Sequence, residues 1–332
     1  MAAVQVLGAT LSSGDRKLVD FAQATSDEEG SLFISGHGYL LTGRPSTTYD
    51  ITGLGSRRPT LFLDGRQIEY QFVPLNWIPG SSIEWICRPD PVLRSFFSQH
   101  VDASKELRLV QGHLPYISIA EAALDLISRY APEFSKLLRH SLRAILLFRH
   151  PNSNSFAALG LHGMICLNVV KSKSTLGFFI DGLVHQGGHM IFSEATLDRQ
   201  LFFRLDPDSQ LGEVAGQADR RSLYEILHGL YTEYAILDVM SHILQQATLA
   251  AYDELELRGR MTLTFRNMSN DVSLINAHRK KLLSADGERL VDFFESALRS
   301  FGPAYQGTCL DVSEQLDEFD WATFCRQNRC AG

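Results

Sequence analysis

The sequence predicts an α+β protein, with a β-rich part over residues 1–105 and a mainly helical part over residues 106–332. Two observations predict it. From Ser31 to Val101 the chain is rich in β-formers, glycine and turn dipeptides, whereas beyond residue 105 apolar residues recur at helical spacing. Strand-like and helix-like stretches are thus segregated rather than alternating, which points away from βαβ units.

In chain order, Arg16–Ala24 reads as a short helix and Ser31–Leu41 as strand. Thr60–Leu63 and Ile68–Val73 flank Asp64-Gly65, a hairpin dipeptide, and the four-residue gap predicts a longer loop. Trp77–Cys87 continues the β pattern, with Pro79-Gly80 as a turn. Ile117–Tyr130 carries Ile119, Ala123, Leu126, Ile127 and Tyr130 on one helical face, and Pro132 closes it. A second helix follows over Pro132–His140. Arg143–Phe148 and Gly163–Val170 read as buried strands around the loop at Pro151. Leu176–Glu194 and Leu223–Leu249 are the longest helices, with two more at Val272–Leu282 and Gly287–Phe301. The final Cys325–Cys330 reads as a frayed tail with free thiols.

The composition narrows the function classes. Net charge is −7, from 31 basic and 38 acidic residues, with no run of like charge longer than three. There is no basic stripe, so a nucleic-acid partner is not expected. Mean hydropathy is −0.06, and no apolar run approaches the ~18 residues of a membrane helix. The first basic residue is Arg16, so no secretory signal is expected, and five scattered cysteines fit a reducing, cytoplasmic location.

The chemistry-bearing stretch is Leu183-Val-His185-Gln-Gly-Gly-His189-Met. Two histidines four residues apart share one helix face at a spacing of ~6 Å, within reach of one metal ion. Asp181, one turn earlier, is placed to orient the His185 ring. The outline is that of the metallopeptidase motif H-E-x-x-H, with Gln186 where the glutamate stands. A zinc hydrolase needs that carboxylate to take a proton from metal-bound water, and an amide cannot. An iron oxygenase has no such need. It requires a facial set of ligands, open positions and a cosubstrate. Gly187 and Gly188 cost about 1 kcal/mol each in a helix. They imply close approach, by a metal-bound ligand or by a packed neighbour.

The third-ligand candidate is His228, on the polar side of a helix whose apolar stripe holds Leu223, Leu227, Leu230 and Leu237. Ser222-x-x-Glu225 reads as a capping box. That leaves Arg221 just outside the helix, placed to reach an anion over its end.

Three features resemble bacterial HExxH-motif proteins encoded beside ribosomal peptide natural products. The family includes iron- and 2-oxoglutarate-dependent peptide β-hydroxylases. The features are the strand Gly163–Val169, the helix with Leu183-Val-His-x-x-x-His189, and the block Arg221-Ser-Leu-Tyr-Glu-Ile-Leu-His228-Gly229. They span roughly residues 143–250, and the glutamate of the family's name is absent. The resemblance implies a zincin-like strand followed by the metal helix, with His185, His189 and His228 as ligands of Fe(II). It implies 2-oxoglutarate as cosubstrate, with Arg221 first and Arg220 second for its distal carboxylate and Tyr231 or Tyr224 adding a hydroxyl. The substrate it implies is a peptide or an amino-acid derivative, hydroxylated at an unactivated C–H. Two alternatives stand beside this one. One is a zincin-like zinc hydrolase drawing its base or third ligand from Glu194, Glu213 or Glu225. The other is a non-catalytic binding protein on a degenerate HxxxH scaffold.

Overall fold

The computed structural model describes residues 21–34, 38–54, 58–86, 88, 93, 96–97, 108–109, 114–151, 153–169, 175–215, 219–305, 310–315 and 319–329. The chain divides into two compact units, Met1–Trp77 with Glu84–Ala103 and Ile78–Ile83 with Ser104–Gly332. The architecture is α+β, β-rich toward the N-terminus and helical toward the C-terminus.

The first unit holds β1 (Phe21–Thr25), β2 (Ser31–Ile34), β3 (Gly38–Leu41), β4 (Thr48–Thr52), β5 (Thr60–Leu63), β6 (Arg66–Ile68), β7 (Gln71–Pro74) and β8 (Glu84–Ile86). One antiparallel sheet runs β1-β4-β5-β6 and another β2-β3-β7. Leu32, Leu40, Tyr49, Ile51 and Leu61 form the core between their apolar faces. Three expectations change here. Phe21–Ala24, read as the end of a helix, is strand paired with Thr48–Thr52, while residues 16–20 lie outside the described residues. The loop around Asp64-Gly65 is a two-residue turn, because Leu63 pairs directly with Arg66. Asp64 and Gly65 take φ of 50° and 73°, the left-handed pair of a type I′ hairpin. The stretch Ile68–Val73 is two strands, since β6 joins β5 in one sheet and β7 joins β3 in the other.

The second unit contains β9 (Arg108–Leu109), β10 (Ala144–Arg149) and β11 (Met164–Asn168). β10 is parallel to β11 and antiparallel to β9. Ile145, Leu146, Leu147 and Phe148 are fully buried, as a near-continuous apolar run in a parallel pair should be. The helices are α1 (Leu114–Tyr130), α2 (Pro132–Ser141), α3 (Leu176–Ala195), α4 (Leu211–Ala215), α5 (Leu223–Gln246), α6 (Ala251–Leu282), α7 (Ala285–Tyr305) and α8 (Trp321–Asn328). Helix α3 packs against α1, α2, α5, α6 and β11. Among the described residues, no helix is long and apolar enough to cross a membrane.

Glycine sets the closeness of that packing. A Cβ on Gly187 would stand 2.5 Å from Leu138 Cδ1 of α2, and one on Gly188 3.2 Å from Thr232 Cγ2 of α5. The paired glycines therefore serve helix–helix contact.

One helical expectation is extended and the expected frayed tail is corrected. Helix α6 runs 32 residues, starting well before Val272. Its buried side includes Glu256, Arg260 and Asp271, which break the apolar periodicity that a sequence pattern needs. The C-terminal stretch is helical too. Asp320 caps α8 by accepting the Thr323 N–H at 2.7 Å, and Trp321 and Phe324 pack with Leu263 and Val312. Cys325 lies on α8, while Cys330 falls outside the described residues.

Candidate metal centre

Helix α3 starts on Thr175, whose hydroxyl accepts the Phe178 N–H at 3.1 Å. Helix α5 starts on the capping box. The Ser222 hydroxyl accepts the Glu225 N–H at 3.1 Å, and Glu225 Oε2 accepts the Ser222 N–H at 2.6 Å. Glu225 is thereby committed to the helix end.

These two helices bring the three histidines together. The His185 and His189 ring centres are 4.8 Å apart, and those of His189 and His228 4.3 Å. His228 Nε2 lies 3.1 Å from His189 Nδ1 and 3.0 Å from the His189 carbonyl oxygen. Phe192 stacks on the far side of His228, with centres 5.4 Å apart.

Burial is the main influence on all three imidazoles and lowers each from the ordinary histidine range. For His185 the Asp181 carboxylate opposes it in part. For His189 the neighbouring His185 and His228 add to it, and the ring falls well below that range. For His228 the His189 carbonyl opposes it, while His185 and Arg199 reinforce it. The rings are neutral at neutral pH, the form that binds metals. The donor set thus fits a divalent transition metal, and imidazole suits iron and zinc alike. A nitrogen separation of about 3 Å is also that of adjacent ligands on an octahedral ion with bonds of about 2.1 Å.

A pocket of about 370 Å³ opens beside His189 and His228, walled by Met190, Tyr224, Arg199 and His162 among others. Tyr224 is buried, and its hydroxyl meets that of Thr196 at 2.7 Å. Across the pocket, His162 Nε2 lies 2.6 Å from Glu194 Oε1, and Ser141 donates to Glu194 Oε2 at 2.7 Å. Burial raises the Glu194 carboxyl, and these two partners together bring it below its usual range.

The other expected residues divide. Tyr224 lines the pocket, whereas Tyr231 stacks on Phe192 with centres 5.2 Å apart. Arg220 is exposed. Arg221 has a different employment from the expected one. Asp271 accepts from it at 2.6 and 2.8 Å, and Asp219 at 2.8 Å, which leaves its fork little to offer a cosubstrate. Glu233, buried near Asp271, has its carboxyl raised well above the ordinary range by burial and by that neighbour. Asp181, expected to orient His185, accepts from Arg260 Nη1 at 2.7 Å. Gln186 is not among the residues that line the pocket. It is buried, and its amide donates to the Ser155 carbonyl at 3.3 Å.

Sequence reading missed Arg199 and the pairing of His162 with Glu194, a residue named there only for the zinc-hydrolase alternative. Arg199 belongs to no motif, and its one sequence signal is its place just beyond the end of the histidine helix. Comparison of the chain with protein-family models and with curated proteins finds no match.

Proposed function

We propose that the protein is a non-haem iron(II) and 2-oxoglutarate-dependent oxygenase. In this reading it hydroxylates an unactivated C–H of an amino-acid or peptide substrate in natural-product biosynthesis. The observation that carries the reading is the packing of His185, His189 and His228, three neutral imidazoles from two helices, with His189 and His228 at the wall of one pocket. The strand-then-helix order of β11 and α3 is the zincin-like element of the same reading.

Iron, when bound, supplies the activation of dioxygen. The chain's own residues do the rest. Desolvation keeps the ligand rings unprotonated, Phe192 holds the plane of His228, and Met190 and Tyr224 wall the pocket beside His189 and His228. No general base is required at residue 186, and Gln186 fills that place as a packed amide.

A zinc hydrolase is the second reading, and one observation favours it. The carboxylate-paired His162 lines the same pocket and could take the proton that Gln186 cannot.

Anaerobic reconstitution separates them. The oxygenase reading expects stoichiometric iron, a charge-transfer band on adding 2-oxoglutarate, and succinate on admitting oxygen. Retained zinc with indifference to 2-oxoglutarate transfers the assignment to the hydrolase. Absence of metal binding defeats both and leaves a binding protein.

A further inference from the structure

Arg221 is held by two aspartates, so the pocket's cation must be sought elsewhere. Arg199 lines the pocket together with His189 and His228. Its guanidinium carbon lies over the Tyr224 ring, 4.1 Å from the centroid. The platform beneath it is fixed, because Tyr224 is buried and tied to Thr196, which in turn donates to the Phe192 carbonyl at 2.6 Å. Tyr224 also stands 5.4 Å from His228, centre to centre, so a single ring separates Arg199 from the histidine cluster. The ion pair of Arg199 is long, 3.6 Å to Asp208, whose side chain is 76% exposed. Such a pair is worth little in solvent and yields readily to a better acceptor. An arginine stacked on an aromatic ring keeps its N–H edge available for a planar bidentate anion.

We propose that Arg199 is the carboxylate anchor of this pocket and that its ligand is a small organic carboxylate. Two sources share that chemistry, the distal carboxylate of a 2-oxo diacid and the terminal carboxylate of a substrate. The inference deepens the oxygenase reading but stands on the pocket, so metal-free protein can test it.

The experiment is calorimetric titration of the metal-free full chain with glutarate, N-acetylglycine and the neutral diamide of glutarate. Wild type is expected to bind a carboxylate and ignore the diamide. Arg199→Met should weaken binding about tenfold or more, with Arg199→Lys recovering part of it. Asp208→Asn removes the competing negative charge and should tighten binding about threefold. That gain is a result which mere damage to the fold does not produce. Preference for glutarate assigns the anchor to a diacid, and preference for N-acetylglycine to a substrate terminus. Wild-type affinity in Arg199→Met, or no carboxylate binding by wild type, overturns the proposal. Metal content of Arg199→Met is measured alongside. A variant with intact metal binding and intact carboxylate binding sinks the anchor alone, whereas a wild type that takes no metal sinks the oxygenase reading alone.

Discussion

His228 Nε2 sits 3.0 Å from the backbone carbonyl oxygen of His189. A carbonyl only accepts, so the hydrogen of that bond belongs to Nε2, and in the metal-free protein His228 is the Nε2–H tautomer. The lone pair then lies on Nδ1. Coordination through Nε2 requires the proton to leave that nitrogen and the bond to His189 to break. Nitrogen-resolved NMR of the metal-free protein should show the Nε2–H form of His228, and zinc should abolish it. A free protein already in the Nδ1–H form contradicts the bond.

The lowered imidazoles make stability depend on pH in one direction. Each folded-state pKa lies below the ordinary value of 6.5. Below pH 6.5 the unfolded chain binds more protons than the folded one, so stability falls as pH falls from there toward the folded values. The slope is about 1.4 kcal/mol per pH unit for each group titrating. Urea denaturation of the metal-free protein at pH 7.5 and 5.5 should show the loss, and His189→Gln should flatten it. A His189→Gln variant with the same pH dependence as wild type counts against neutral, desolvated rings.

Metal uptake near pH 7.5 should release almost no acid, because rings already neutral have no charge-bearing proton to shed. Calorimetry of zinc binding in buffers of different ionisation enthalpy reads this directly. A release approaching one proton per histidine refutes it.

The contact of Gly187 with Leu138 makes a double-mutant cycle. Gly187→Ala gains helix propensity of about 1 kcal/mol but forces a methyl against Leu138, an overpacking cost of about 1–3 kcal/mol. Leu138→Ala alone leaves a cavity worth about 2–5 kcal/mol. The double variant should be more stable than the sum, by denaturant titration, because the new methyl enters the space that the leucine vacates. Additivity would mean that the helices separate instead.

Arg260 is 4% exposed and carries Glu256 and Asp181 together, donating to Glu256 Oε1 at 2.7 and 3.0 Å. Arg260→Met strands the fully buried Glu256 and should cost about 3–5 kcal/mol. Replacing both, as Glu256→Leu with Arg260→Met, should restore most of that loss. A double variant as unstable as the single one would show that the pair does more than neutralise itself.

The histidine cluster was legible in the sequence because it rests on local rules. The i, i+4 spacing of His185 and His189 and the Ser222–Glu225 box both refer to single helices. Tertiary relations were not legible. The pairing of Arg221 with Asp271 joins residues fifty apart in sequence, and nothing near Arg221 announces it. Arg199 was hidden for the same reason, since its place over Tyr224 depends on how the turn after α3 meets α5. The start of α6 was masked by burial of charged side chains on the face where apolar ones are sought. The two-residue turn at Asp64-Gly65 was missed because the partners chosen for pairing were two residues out of step.

The glycines of α3 have one more consequence. At 187 and 188 the helix has no side chain, and Leu138 of α2 and Thr232 of α5 stand in the space a Cβ would need. A larger residue at either position must push a neighbouring helix away and shift His185 and His189 relative to His228. Variants of this chain should therefore show an intolerant pair of positions, with the alignment of the cluster inherited through the absence of two side chains.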